Sequence, residues 1–226
     1  MFILCSPHNP VGRVWSKLEL ERLGTFCLQH GVVVVADEAF CDFATPGYHH
    51  YVFAGLNRRF EQIAVTLASA AKTFNLSGIQ VSHAFIANDT LRRAWSREMQ
   101  AAGFDTPNAL GLIAAQAAYE NGLDWLNRLR SYINSNEVFV RTFLKQYIPG
   151  VVVAERQGTY LLWLDCWATG FPLAEMNNRL MDRGKLWLYD GSVFGDDGEG
   201  FQRLNLAAPR DIISEAMMRL SLAFSR

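Results

Sequence analysis

Five polar side chains of this 226-residue chain are placed where they could meet one ligand. Asn9 follows the first apolar run, Asp37 ends the second, and Ser69 and Lys72 follow the third. Arg203 lies far downstream inside another apolar run. Where successive strands form an open α/β sheet, ligands bind at the carboxyl ends of the strands, which is where an amide, a carboxylate, a hydroxyl and an amine fall here. Taken singly, each is ordinary. Asn9 before Pro10 is a turn residue. Asp37-Glu38 opens a solvated loop, a lone lysine in a turn is a surface residue, and a strand arginine is an ion-pair partner. Common placement and chain order are what group them.

Positioning these groups requires alternating strands and helices, and the first half of the chain reads that way. Phe2 to Cys5 is a short apolar run that ends in the turn Ser6-Pro7-His8-Asn9-Pro10-Val11-Gly12, where Gly12 permits the turn. Ser16 and Glu19 have capping-box spacing, and Leu18, Leu20, Leu23, Phe26 and Cys27 supply a helical apolar face that ends at His30-Gly31. Val32 to Ala36 is a continuous run suited to a strand buried on both faces. Ile63 to Leu67 and His83 to Ala87 are further strands. Leu91 to about Arg130 is helical, and a long helix follows through Asn136 to Tyr147. Beyond it come strands at Val151–Ala154, Tyr160–Asp165, Leu186–Tyr189 and Phe201–Leu206, with helices at Pro172–Arg183 and from Arg210. The expectation is an α/β chain. A partial large domain with a mainly parallel sheet occupies 1–127, and a smaller C-terminal α+β domain occupies 128–226.

Composition narrows the function classes. Half the residues are apolar and the net charge is −1, so no polyanion such as nucleic acid is an expected partner. The four cysteines, Cys5, Cys27, Cys41 and Cys166, form no CxxC pair. They read as free thiols of a reducing, cytoplasmic compartment, with no metal site. No apolar run approaches the roughly 20 residues of a membrane-spanning helix. Met1 is followed at once by a strand, with no signal-peptide pattern. That start leads to the expectation that this is the C-terminal part of a longer, truncated protein.

Four segments in order then carry a resemblance. Ser6-Pro7-His8-Asn9-Pro10-Val11-Gly12 resembles the SPxNPxG turn of class I/II aminotransferases, which are fold-type I enzymes dependent on pyridoxal phosphate (PLP). Asp37-Glu38-Ala39-Phe40 resembles their DExx segment, Ser69 to Gly78 their SxSKxFNxxG segment, and Phe201 to Asn205 their RLN strand. Finer wording is similar to MalY/PatB-type C–S lyases, the cystathionine β-lyases. It includes Cys41-Asp42-Phe43, Pro46-Gly47-Tyr48-His49, Thr106-Pro107-Asn108, Gly158 to Asp165 and Arg203 to Arg210.

The resemblance implies roles. Lys72 is the Schiff-base lysine and later the base for the substrate Cα proton. Asp37 keeps the cofactor's ring nitrogen protonated. Asn9 donates to the ring's O3′ oxygen, and Ser69 supplies a hydroxyl to the phosphate. Arg203 binds the substrate's α-carboxylate in bidentate fashion. Tyr160 packs in the small domain. The implied activity is a β-lyase releasing thiol, pyruvate and ammonia from cysteine-type amino acids. An aminotransferase and a non-catalytic remnant are the alternatives. A homodimer is implied for the full-length enzyme. Two positions depart from the pattern: Phe40 stands where Tyr or His is usual, and Ala71 stands where a phosphate-binding Ser is usual. The family's remaining sheet strands are expected to be missing, which leaves bare sheet edges.

Overall fold

The structure is a computed structural model that describes residues 1–225. It divides into two compact units. The first comprises Met1–His8, Arg13–Arg128 and Gln157–Thr159; the second comprises Asn9–Gly12, Leu129–Arg156 and Tyr160 onward. The boundary after Arg128 lies inside one long helix, and each unit takes a short loop from the other stretch of chain. A division into two uninterrupted segments at 127/128 does not anticipate that exchange. It has a local cause. Gln157 accepts from Val14 N at 3.0 Å through its side chain and from Thr45 N at 2.9 Å through its carbonyl. Gly158 packs so closely on Val14 and Pro7 that a Cβ would stand 2.8 Å and 3.0 Å from them.

The first unit opens with β1 (Phe2–Cys5) and α1 (Lys17–Gln29), followed by β2 (Val34–Asp37) and the single turn α2 (Arg58–Glu61). Next come β3 (Ala64–Ala68), the single turn α3 (Ala70–Thr73) and β4 (His83–Phe85). The helices α4 (Asp89–Ala101) and α5 (Ala109–Asn121) follow. Strand order is β1-β2-β3-β4. The first three strands are parallel, as the strand–helix alternation predicts, and β4 runs antiparallel. The capping box expected at Ser16 is formed in both directions with Glu19. The expected helical face of α1 is narrower than the sequence suggests: Leu20 and Cys27 are buried, whereas Leu18 and Phe26 are exposed. The helical stretch expected from Leu91 to Arg130 is interrupted. Gly103, at φ +73°, ends α4 with Phe104 N bonding back to Met99 O at 2.9 Å, and Asn108 restarts a helix by accepting from Leu110 N at 3.0 Å.

The core between α1 and the sheet is built from Leu4, Leu20, Val34, Ala36, Phe53 and Phe60. The rings of Phe53 and Phe60 stack with centroids 5.4 Å apart. Phe60 lies directly over Gly24 of α1.

The second unit takes the rest of α6 (Leu123–Tyr147), then β5 (Val152–Val153) and β6 (Leu161–Asp165). It continues with α7 (Leu173–Asn178), which passes into a π-helical turn at Arg179–Arg183. It ends with β7 (Tyr189–Asp190), β8 (Phe201–Asn205) and α8 (Arg210–Phe224). The sheet order is β5-β6-β8-β7, antiparallel throughout. Buried Asn136 of α6 anchors the exit of β8: its amide donates to Leu206 O at 2.9 Å and to Ala208 O at 3.1 Å. Arg210 at the start of α8 donates back to the Asn136 carbonyl at 2.8 Å.

A Cβ at Gly24 would lie 2.6–2.8 Å from the Phe60 ring. In an exposed helix Gly→Ala gains up to about 1 kcal/mol, but overpacking costs about 1–3 kcal/mol. Gly24→Ala is therefore expected to lower the urea midpoint of the first unit's unfolding. An unchanged or raised midpoint would show that the ring gives way freely.

Candidate functional site

Register builds the first half of the site. Asp37 is the last residue of β2, level with Cys5 on β1 and Leu67 on β3. Two residues beyond Leu67, Ser69 caps the turn that carries Lys72. Ser69 Oγ accepts from Ala71 N at 3.0 Å and donates to Val81 O at 2.7 Å. Its one proton is thereby committed within the chain. Asn75, at φ +56°, ends the segment in the left-handed region that asparagine tolerates. Half-buried Lys72 makes no hydrogen bond or ion pair among the described residues. Asp37 Oδ1 accepts from Ala39 N at 3.1 Å, which turns the chain at the strand end.

The loop after β2 is tied to the lysine turn. Thr73 Oγ1 donates to Asp42 Oδ2 at 2.7 Å. Burial, reinforced by the Asp42 and Glu38 carboxylates, pushes the Cys41 thiol up to about 12. Burial, then the same Asp42 charge, also raises the Tyr119 phenol. Glu38 is wholly buried; it accepts from Phe53 N at 2.9 Å and pairs with His50 Nε2 at 3.1 Å. Phe40 is buried and meets Phe43 edge-on at 6.4 Å, so it serves as a packing residue here. Thr73, Tyr119 and the Glu38–His50 pair were not singled out by spacing. Tyr119 reaches this loop from a different helix, and nothing in the local sequence of either segment marks the approach.

The second unit holds Asn9 and Arg203 together. Arg203 Nη1 donates to Asn9 Oδ1 at 2.8 Å. A guanidinium only donates, so Asn9 must present its oxygen to it, and its NH2 is left as a free donor. The Arg203 guanidinium is also stacked on Tyr189 at 4.3 Å and on Phe194 at 4.9 Å. Burial lowers its proton affinity, while the neighbouring Tyr189 and Tyr160 phenols act the other way. No carboxylate pairs with Arg203 among the described residues. Burial raises the Tyr160 phenol against the opposing Arg203 charge. Gly12 has φ +77°, the conformation that the turn next to Asn9 requires of a glycine.

The structure thus brings Asp37, Ser69 and Lys72 together in one unit and Asn9 with Arg203 in the other. An unpaired lysine amine and a strand-end carboxylate in one unit fit a carbonyl cofactor with a basic ring nitrogen. A free amide donor and a guanidinium lacking a carboxylate fit anionic oxygens. The phosphate end fits less directly, since Ala71 has no hydroxyl and the Ser69 proton is held by Val81 O.

The family model of aminotransferase class I and II matches residues 1–220. This chain belongs to that family. It is 41% identical over 226 residues to the cystathionine beta-lyase PatB of Bacillus subtilis, covering all of this chain and 58% of that protein. Protein MalY of Escherichia coli is 30% identical over 221 residues, with 97% of this chain and 56% of MalY covered. Among solved structures, cystalysin of Treponema denticola, which contains pyridoxal 5'-phosphate, superposes with a TM-score of 0.94 at 32% identity. That match covers 98% of this chain and 56% of cystalysin. The chain therefore spans somewhat more than half the length of these relatives.

With its thiol at about 12, Cys41 is roughly 10⁻⁴ ionised at pH 8. Iodoacetamide at that pH is expected to alkylate it at least 100-fold more slowly in the folded chain than in urea, read by peptide mass spectrometry. Fast labelling of the folded chain would contradict the buried, acidic setting.

Proposed function

We propose that the whole protein is a PLP-dependent carbon–sulfur β-lyase of the cystathionine β-lyase kind, acting on small cysteine-type amino acids. The observation that carries this reading is the pair of prepared groups, the unpaired Lys72 amine and the carboxylate-free Arg203 guanidinium, in a chain 41% identical to PatB. When bound, PLP supplies an electron sink for the pair released from the substrate's Cα–H bond. Lys72 would hold the cofactor through its amine, and Nζ is the base that would take the substrate's Cα proton. Asp37 is the carboxylate that keeps a proton on the ring nitrogen. Asn9 donates from its free NH2 to the ring oxygen. Arg203 holds the α-carboxylate, with Tyr189 and Phe194 fixing the plane of its fork.

Ser69 acts first as the cap that orients the lysine turn. A bond from its hydroxyl to the phosphate requires the proton to leave Val81 O. Loss of the thiolate from Cβ and hydrolysis of the released fragment give pyruvate and ammonia. The substrate class, a homodimeric assembly and a cytoplasmic location belong to the same proposal, which the family membership supports. No helix among the described residues is long and apolar enough to cross a membrane.

Titrating PLP into the chain is expected to produce a visible absorbance band that Lys72→Ala abolishes, and the loaded chain is expected to release pyruvate from cystathionine. A band without pyruvate, accompanied by amino transfer to a keto acid, would assign the aminotransferase reaction; no band at all would refute the cofactor reading for this chain. Arg203→Lys is expected to raise KM for the amino acid at least tenfold with a smaller change in kcat, because an ammonium cannot make the bidentate contact. Unchanged steady-state KM in that variant would remove Arg203 from substrate binding.

A further inference from the structure

Glu38 follows Asp37 at the end of β2, so the two side chains leave opposite faces of the strand. The Glu38 backbone continues the ladder through its N–H to Leu67 O at 2.9 Å. Its carboxylate closes a loop. Oε1 accepts from Phe53 N at 2.9 Å, and Oε2 accepts from His50 Nε2 at 3.1 Å. Both side chains of the Glu38–His50 pair are buried.

His50 makes no other hydrogen bond among the described residues. Its Nδ1 is buried and has no hydrogen-bond partner. A carboxylate only accepts, so Nε2 carries the hydrogen and gives it to Glu38. An apolar side chain would fill the same space without an unmet nitrogen, so packing does not account for this histidine. The contact with Glu38 does.

The loop that Glu38 closes carries Asp42. The chain turns directly after Glu38, with Cys41 N donating to Glu38 O at 2.9 Å, and enters the short helical turn Cys41–Phe43. Asp42 Oδ2 accepts from Thr73 Oγ1 at 2.7 Å. Thr73 is buried and adjacent to Lys72. Two contacts therefore lie in series. Glu38 and His50 fix the loop, and the loop's carboxylate fixes the lysine turn. The Cys41 thiol feels both the Glu38 and the Asp42 carboxylates, so its reactivity reports on the loop's placement.

We propose that the buried Glu38–His50 pair is a positioning device for Lys72, acting through Asp42 and Thr73. Its role toward the cofactor rests on the proposed PLP reading, whereas the anchoring of the loop does not. Asparagine at position 50 puts its amide near the place of Nδ1, and glutamine puts it near that of Nε2, so only glutamine reaches Glu38. His50→Asn is expected to speed iodoacetamide alkylation of Cys41 by about tenfold and to weaken PLP uptake, read from the visible band, by about fivefold. His50→Gln is expected to match the unsubstituted chain in both. In a Thr73→Val background, His50→Asn is expected to weaken PLP uptake no further, because the two contacts act in series. Additive losses, unchanged Cys41 labelling in His50→Asn, or a His50→Gln variant as impaired as His50→Asn would overturn the proposal. If His50→Asn does not fold, Thr73→Val decides: undiminished PLP uptake refutes the link to Lys72, and weakened uptake supports it. An unsubstituted chain that takes up no PLP overturns the cofactor reading and with it the role toward Lys72, while Cys41 labelling still decides whether His50 anchors the loop.

Discussion

In the parallel register of β1, β2 and β3, Cys5, Asp37 and Leu67 stand side by side at one edge of the sheet. Backbone hydrogen bonds continue past the strand ends, from Ser6 N to Asp37 O and from Glu38 N to Leu67 O, both at 2.9 Å. Whatever follows these strands must therefore leave from the same edge. Asp37 and the turn bearing Lys72 are there because the ladder ends there. The Ser69 cap and the Thr73–Asp42 hydrogen bond then set the turn itself. Parallel strands concentrate loop chemistry at their carboxyl ends, and this sheet follows that rule with a carboxylate and an amine.

The second unit uses an antiparallel frame for a different purpose. β8 lies between β6 and β7, and its alternate side chains serve opposite faces. Arg203 is held flat by two aromatic rings and one amide oxygen, a setting that keeps a guanidinium partly desolvated without neutralising it. Such a group is prepared for a carboxylate, because the cost of ordering the fork has already been met in folding. Its sequence neighbour Gln202 faces the other side of the sheet, where it donates to Asn177, so one short strand supports two kinds of polar environment.

Several of these features were readable from residue types and spacing. Ser16 and Glu19 announce a capping box because both partners lie within one turn. The β-branched run ending at Asp37 announces a buried strand because its neighbours need no polar face. The helix expected from Arg210 stands where the sequence placed it. The SPxNPxG, DExx and lysine segments place the chain in its family because each is a contiguous string. Other features were not readable. His83–Phe85 is too short for its apolar pattern to carry a direction, so its antiparallel pairing had to come from the fold. The helical pattern after Leu91 hid a break, because the alanines around it are good helix formers on both sides of Pro107.

Local interactions, then, were legible from the order of residues, since caps, strand runs and turns are settled by neighbours a few positions apart. Long-range pairings were not. Arg203 bonds to Asn9 across 194 positions, and Gln157 closes on Val14 across 143. The hydrogen bonds from Gln202 to Asn177 and from Asn177 to Asp190 likewise join separate elements. Each of these depends on where two backbone segments are brought by the packing of everything between them. No spacing rule encodes that, and so the unpaired state of Lys72, the free donor of Asn9 and the unmet nitrogen of His50 became visible only with the folded chain.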